Sequence, residues 1–241
     1  VKKSFWLAVL IGISCVWPVW SHAQGIQAGD QFISVYAGAG GATNDTHLGL
    51  DFRDDTGYPL GQTKDFGWGD ESVAFGAQYL YTVSPYWAFG VEYNANLFDG
   101  AAEELNAWGG SGQHMKAEAD QDMDVHNLMA AGRFTLNPQG TFRFYIPFGA
   151  GIAFSKATVK NSFWEQNGGA YTSVSDSRSE SSRSFTYYTG LGVEHRLAGQ
   201  WLWGLEGRYQ SFSFDYDKFL SGAGRENLHY VTVFLKRGYV F

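Results

Sequence analysis

Trp87-Ala88-Phe89-Gly90-Val91-Glu92-Tyr93-Asn94-Ala95-Asn96-Leu97 alternates without interruption. Trp87, Phe89, Val91, Tyr93, Ala95 and Leu97 share one side of an extended chain, and Gly90, Glu92, Asn94 and Asn96 share the other. A period of two marks a β-strand, whose successive side chains point to opposite faces. The chemistry of those faces is unusual. One is built from large aromatic and branched residues, while the other carries glycine, a carboxylate and two amides.

The same contrast recurs along the chain. Phe142, Phe144, Ile146, Phe148, Ala150, Ile152 and Phe154 alternate with Arg143, Tyr145, Gly149 and Gly151. Phe185, Tyr187, Leu191 and Val193 stand against Tyr188, Gly190, Gly192 and Glu194, and Trp201, Trp203, Leu205 and Tyr209 against Gly204, Glu206, Arg208 and Gln210. In all, the alternation predicts eight strands, near residues 30–41, 71–83, 86–97, 123–136, 141–154, 184–197, 200–213 and 228–241. Each has the roughly 9–11 residues that cross a bilayer at a tilt. The chain holds 31 glycines, 9 tryptophans, 14 tyrosines and 19 phenylalanines, yet no apolar run after residue 23 approaches the length of a spanning helix. That combination favours strands apolar on one face only.

The connections sort by length. Ser84-Pro85, Asn137-Pro138-Gln139-Gly140 and Ala198-Gly199 are short, and aromatics follow each one: Tyr86 and Trp87, Phe142, and Trp201 with Trp203. They alternate with four long polar segments at 42–70, 98–122, 155–183 and 214–227. A soluble eight-stranded lipocalin-like barrel or a sandwich is the alternative, but it would bury the large apolar set, and the remaining set is too polar for an ordinary core. A membrane barrel accounts for the asymmetry, with short periplasmic turns, long external loops and an aromatic girdle at each interface. Eight antiparallel strands also close without an edge.

The ends of the chain carry their own signals. Lys2 and Lys3 precede an apolar run from Phe5 to Trp20, then Ser21-His22-Ala23, in the order of a secretory signal peptide. The expectation is a signal over residues 1–23, cleaved after Ala23, and a single domain over 24–241. The alternative of a membrane anchor is disfavoured by the short run and by Pro18. Without residues 1–23 no cysteine remains, and the formal charge moves from −7 to −9 with the loss of two lysines. Such an acidic balance argues against a nucleic-acid partner. At the other end, Tyr239 and Phe241 close an alternating strand.

Signal, eight strands, loop asymmetry and terminal Tyr239-Val240-Phe241 together resemble the small outer-membrane barrels of the OmpA and opacity-protein type. The resemblance implies an all-β, eight-stranded, antiparallel up-and-down transmembrane barrel, monomeric, in the outer membrane of a Gram-negative bacterium. It also implies that Tyr239 and Phe241 form the carboxyl-terminal signal read by the barrel-assembly machinery. Lys236 and Arg237 depart from that signal, which usually has glycine and an apolar residue there. Arg237 has lipid-facing parity, and the chain can accommodate it by reaching to the interface or by a bulge at Gly238. Pro147 should interrupt the ladder of the fifth strand.

An eight-stranded barrel is just wide enough for its own side chains. The inward set includes Glu92, Arg133, Arg143, Glu194, Glu206, Arg208 and Lys236, three acids against four bases. Adjacent strands are expected to bring Glu92 near Arg133 and Glu206 near Lys236. Such a mixture reads as a salt-bridged plug; the alternative is a low-conductance, porin-like channel or carrier for a small solute.

Specific activity is left to the external segments. Glu118, Asp120, Asp122 and Asp124 would line one face of an extended chain, a possible divalent-cation face toward lipopolysaccharide phosphates or simply a solvated acidic loop. The first segment is acidic around Trp68, with Asp51, Asp54, Asp55, Asp65, Asp70 and Glu71. Thr172 to Ser184 is serine-dense with alternating charge and reads as a hydrated loop. No histidine forms a His-x-Ser pair on one strand face, so no catalytic residue, metal or cofactor is assigned. The expected partners are outer-membrane lipid, lipopolysaccharide, the assembly machinery, and host or envelope ligands of the loops.

Overall fold

A computed structural model describes residues 25–43, 51–53, 59–62, 71–99, 103–108, 114–167, 170–197, 200–215 and 225–241. Eight long strands run in sequence: β1 (Gln31–Ala42), β2 (Glu71–Ser84), β3 (Trp87–Asp99), β4 (His114–Thr135), β5 (Phe142–Asn167), β6 (Ala170–Arg196), β7 (Trp201–Asp215) and β8 (Arg225–Val240). Each pairs antiparallel with its neighbours in sequence, and β1 pairs with β8 to close the barrel. Outside the ring, Asp51–Arg53 pairs with Pro59–Gln62, and Glu103–Trp108 adds to β4.

Alternation decides which side of the wall each residue occupies. Ile33, Val35, Phe75, Phe89, Val91, Phe144, Ile152, Leu191, Leu205 and Val233 are exposed on the outer surface, while Glu92, Asn94, Arg143, Glu206 and Arg208 are buried within. This inversion is the one a lipid solvent demands. No helix among the described residues is long and apolar enough to cross a membrane; the crossing is made by strands.

Every expected strand is found, but three extend nine or more residues beyond their expected external ends. β4 begins at His114, β5 continues to Asn167 and β6 begins at Ala170. The expected hydrated loop from Thr172 to Ser184 is therefore strand, and the third of the four long connections is a continued hairpin. Its serines have ladder partners on β5 in unbroken register. Hydroxyls on β5 also donate across the hairpin, Thr158 Oγ1 to Ser179 Oγ at 3.3 Å and Ser155 Oγ to the Ser182 carbonyl at 3.3 Å.

Two expected irregularities resolve differently. At Pro147 the β5–β6 ladder lapses at Ile146 and Pro147, between Tyr145↔Gly192 and Phe148↔Thr189, with the register unchanged. Pro147 has no N–H to donate. Gly238 makes no bulge: β8 stays in register with β1 and β7 through that position.

The short-turn end is tightly tied. Asn137 receives the Phe144 N–H at 2.7 Å and donates Nδ2 to the Phe142 carbonyl at 2.6 Å, closing the β4–β5 turn. Phe241 exchanges both backbone hydrogen bonds with Gln31, at 3.0 and 3.1 Å, so the ladder runs to the last residue. Residues 25–30 cross this mouth as a strap. Ile26 donates its N–H to the Pro138 carbonyl at 3.1 Å, and Gly29, at φ 97°, turns the strap into β1 while bonding the Thr82 carbonyl at 2.8 Å.

Candidate functional site

The lumen is filled in layers. At the periplasmic end Ile26, Phe32, Leu80, Ala88, Ala131, Leu202 and Val240 form a buried apolar seal. Directly above it, Arg133 holds both oxygens of Glu194, at 2.7 and 2.9 Å, with its guanidinium over the rings of Phe32 and Tyr145. Arg143 reaches the same carboxylate, Nη2 lying 3.1 Å from Oε1. Its Nε and Nη2 have no hydrogen-bond acceptor among the described residues.

Arg208 occupies the centre. It bonds Glu206 through Nε and Glu92 through Nη1 and Nη2, bridging the two carboxylates. The rings of Tyr36, Tyr188 and Phe234 surround its guanidinium at 4.8, 4.3 and 5.0 Å. Glu206 also accepts from Tyr145 at 2.7 Å and from Lys236 at 3.3 Å. Lys236 donates to Gln78 at 2.8 Å, and Gln78 donates to Glu92 at 2.6 Å, closing a ring of partners. Tyr188 donates to Glu92 at 2.9 Å.

Toward the outside an amide ladder takes over. Asn127 donates to Asn94, Asn96 to Asn94 and Tyr230, and Gln210 to Thr186, at 2.6 to 3.2 Å. Phe98 and Phe212 then pack edge-on against Tyr230, beside Met123 and Leu228. A void between the seal and the Arg133, Glu194 and Lys236 layer, and another beside Phe98 and Tyr230, are each about 10 Å³, about the least that a single water needs.

All seven sequence-chosen lumen charges thus lie inside the barrel and are buried. One expected pair is corrected. Glu92 meets Arg208 across the lumen, because the register sets Arg133 opposite Ala88, four residues nearer the periplasm. Tyr36 and Gln78, which help complete the network, were missed, and Tyr145 and Tyr188 were placed on the inward face without being assigned to it. Their signal was parity alone: they share the inward face with the charges. Glycines make room for them, since a Cβ at Gly192 would run into the Tyr145 ring and one at Gly149 into the Tyr188 ring.

The outer surface carries the remaining candidates. Tyr86, Trp87, Phe142 and Trp201 are exposed around the short-turn rim, with Trp203 half-buried. Trp87 packs on Phe134 at 4.6 Å, Trp201 on Tyr239 at 5.1 Å, and Tyr239 on Phe241 at 6.2 Å. At the opposite boundary, His126 Nδ1 is 2.8 Å from the Tyr93 hydroxyl and His229 Nδ1 is 2.8 Å from the Tyr209 hydroxyl. Of the acidic series, Asp122 and Asp124 have outward parity on β4, while the side chains of Glu118 and Asp120 lie outside the described residues. Register places Lys156 opposite Asp124 and Lys160 opposite Asp120, and Lys160 Nζ is 3.2 Å from Asp122. Lysines therefore answer this face in part. Among the described residues no group of three potential ligands could hold a metal. Most of the first acidic segment lies outside the described residues.

A closed barrel with an apolar exterior, a polar salt-bridged interior and an aromatic rim is a transmembrane barrel of the bacterial outer membrane. The chain belongs to the outer membrane protein beta-barrel domain family, whose model matches residues 21–241. No curated protein matches it. Among solved structures it is similar to the outer membrane protein OprG from Pseudomonas aeruginosa, at 16% identity over 90% of this chain and 98% of that one, TM-score 0.45. It is also similar to Ail, the attachment invasion locus protein of Yersinia pestis, at 16% identity over 89% and 100%, TM-score 0.39. Neisserial surface protein A matches at 11% identity over 89% and 98%, TM-score 0.39.

Proposed function

We propose that this barrel is a non-enzymatic surface protein whose lumen is a structural plug and whose external segments make its contacts with lipopolysaccharide, host molecules or neighbouring envelope proteins. One observation carries the reading: the central charges bond to one another around Arg208, between the apolar seal at the short-turn end and the buried Phe98, Met123, Phe212 and Leu228 toward the outside. A selective pore would want a ring of one sign and a hydrated path. The non-enzymatic part of the reading rests on the sequence, in which no histidine forms a His-x-Ser pair on one strand face.

Reconstitution in a planar bilayer tests the plug. The expected result is electrical silence; steady, ion-selective steps would instead make the protein a low-conductance channel. In a silent protein, replacing the hairpin beyond Phe154 and Arg183 and scoring adhesion and envelope integrity tests the external role. The same proposal includes removal of residues 1–23 on export and reading of Tyr239 and Phe241 by the assembly machinery. The mass of the protein from outer membranes checks the first, and the assembly rate of Phe241→Ala checks the second.

A further inference from the structure

Arg237 is a cation on the lipid-facing side of the wall. Its register neighbours are Trp203 on β7 and Val35 on β1, and the outward residues one step away are Leu235, Tyr239, Trp201 and Ile33. All are aromatic or aliphatic. No carboxylate among the described residues pairs with its guanidinium, and the side chain is exposed. A charge held in hydrocarbon must reach water or a counter-charge.

The side chain shows where it goes. Its guanidinium carbon lies 4.5 Å from the centre of the Trp201 ring and 5.4 Å from that of Trp203. Trp203 is level with Arg237, whereas Trp201 is level with Tyr239, two residues nearer the periplasmic end of β8. The arginine therefore leans toward the periplasm, across the indole faces, to the level where Tyr239 and Phe241 end the strand. The unbulged register of β8 keeps it there. The two indoles hold the planar guanidinium by cation–π contact and leave its N–H edge free to donate to a second group.

We propose that Arg237, seated on Trp201 and Trp203, binds the phosphodiester of an inner-leaflet phospholipid and fixes the depth of β8 in the membrane. Phosphate is the anion present in quantity at that level, and a guanidinium matches its oxygens with two parallel hydrogen bonds, which an ammonium cannot. The site is independent of the external role proposed above, because it lies at the other interface.

The test is a solid-state NMR measurement on full-length mature protein, labelled with 15N-arginine and reconstituted in bilayers of phosphatidylethanolamine and phosphatidylglycerol. Coupling between guanidinium nitrogens and lipid phosphorus is compared in wild type, Arg237→Gln and Arg237→Lys, each checked for heat-dependent gel migration. The expected result is phosphorus dephasing of an arginine signal that disappears in both variants. Dephasing that persists unchanged in Arg237→Gln would assign every phosphate contact to other arginines and overturn the proposal, as would no dephasing in wild type. Should Arg237→Gln fail to fold, the Trp201→Leu and Trp203→Leu pair with Arg237 retained is read instead: weakened dephasing supports the seat, and undiminished dephasing removes it.

Discussion

Replacing Arg208 with methionine is the sharpest probe of whether the lumen is dry and structural. The rings of Tyr36, Tyr188 and Phe234 that enclose the guanidinium can pack equally on a thioether, so the perturbation is chiefly one of charge. Of the two carboxylates that Arg208 bridges, Glu206 keeps Lys236 at 3.3 Å and Tyr145 at 2.7 Å. Glu92 keeps only neutral donors, Gln78 at 2.6 Å, Tyr188 at 2.9 Å and Asn94 at 3.4 Å. One buried carboxylate loses its cation, which costs about 3–5 kcal/mol; a solvated pair would cost under about 1 kcal/mol. Urea unfolding in lipid vesicles, followed by tryptophan fluorescence, measures the loss. Adding Glu92→Gln removes the orphaned charge and should restore most of the stability. A loss below about 1 kcal/mol, or a double variant no better than Arg208→Met, would mean that the lumen is hydrated and that the plug argument fails.

Other outcomes follow from the same geometry. Arg143 shares Glu194 with Arg133, which takes both carboxylate oxygens, so Arg143→Met should cost under about 1 kcal/mol, whereas Arg133→Met, which leaves Glu194 a cation but removes both of its hydrogen bonds from Arg133, should cost about 1–3 kcal/mol in urea titration. Leu191 is 70% exposed in the lipid-facing band; Leu191→Arg should cost about 2–4 kcal/mol in vesicles, whereas Ser179→Arg, exposed on the same strand beyond the band, should stay within about 0.5 kcal/mol. Gly192→Val puts side-chain atoms into the Tyr145 ring and should abolish the heat-modifiable folded band on gels, with partial rescue by Tyr145→Ala.

The membrane-crossing part of the fold was legible because lipid enforces it. Between Trp87 and Leu97, or between Phe142 and Phe154, each outward position must be apolar and each inward one can be small or charged, so the alternation is written in full contrast. Inward parity likewise identified all seven lumen charges. Of their pairings, the neighbouring-strand pair Glu206 and Lys236 was legible, but Glu92 with Arg208 was not, because those two meet across the lumen from strands that are not neighbours, and barrel stagger sets their heights. The same limit hid the roles of Tyr36, Tyr145 and Tyr188. An inward tyrosine looks like any other until the glycine opposite shows where its ring lies.

Strand ends were misread for a different reason, and it bears on function. On β5 the outward residue changes from Phe154 to Lys156, and on β6 from Phe185 to Arg183, with no break in pairing. The solvent changes there, not the secondary structure. Beyond that level both faces meet water, the contrast between them vanishes, and a strand of threonine, serine and lysine becomes indistinguishable from a loop in sequence. Yet β5 runs on to Asn167, roughly 40 Å of extended chain past Phe154 at about 3.3 Å per residue. A paired hairpin has already lost its backbone freedom on folding, so a ligand bound by it need not bear that ordering cost again. Contacts made by this extension would depend on fixed rows of side chains, such as Lys156, Thr158 and Lys160 beside Ser177, Ser179 and Ser181, and not on a segment that reshapes itself around each partner.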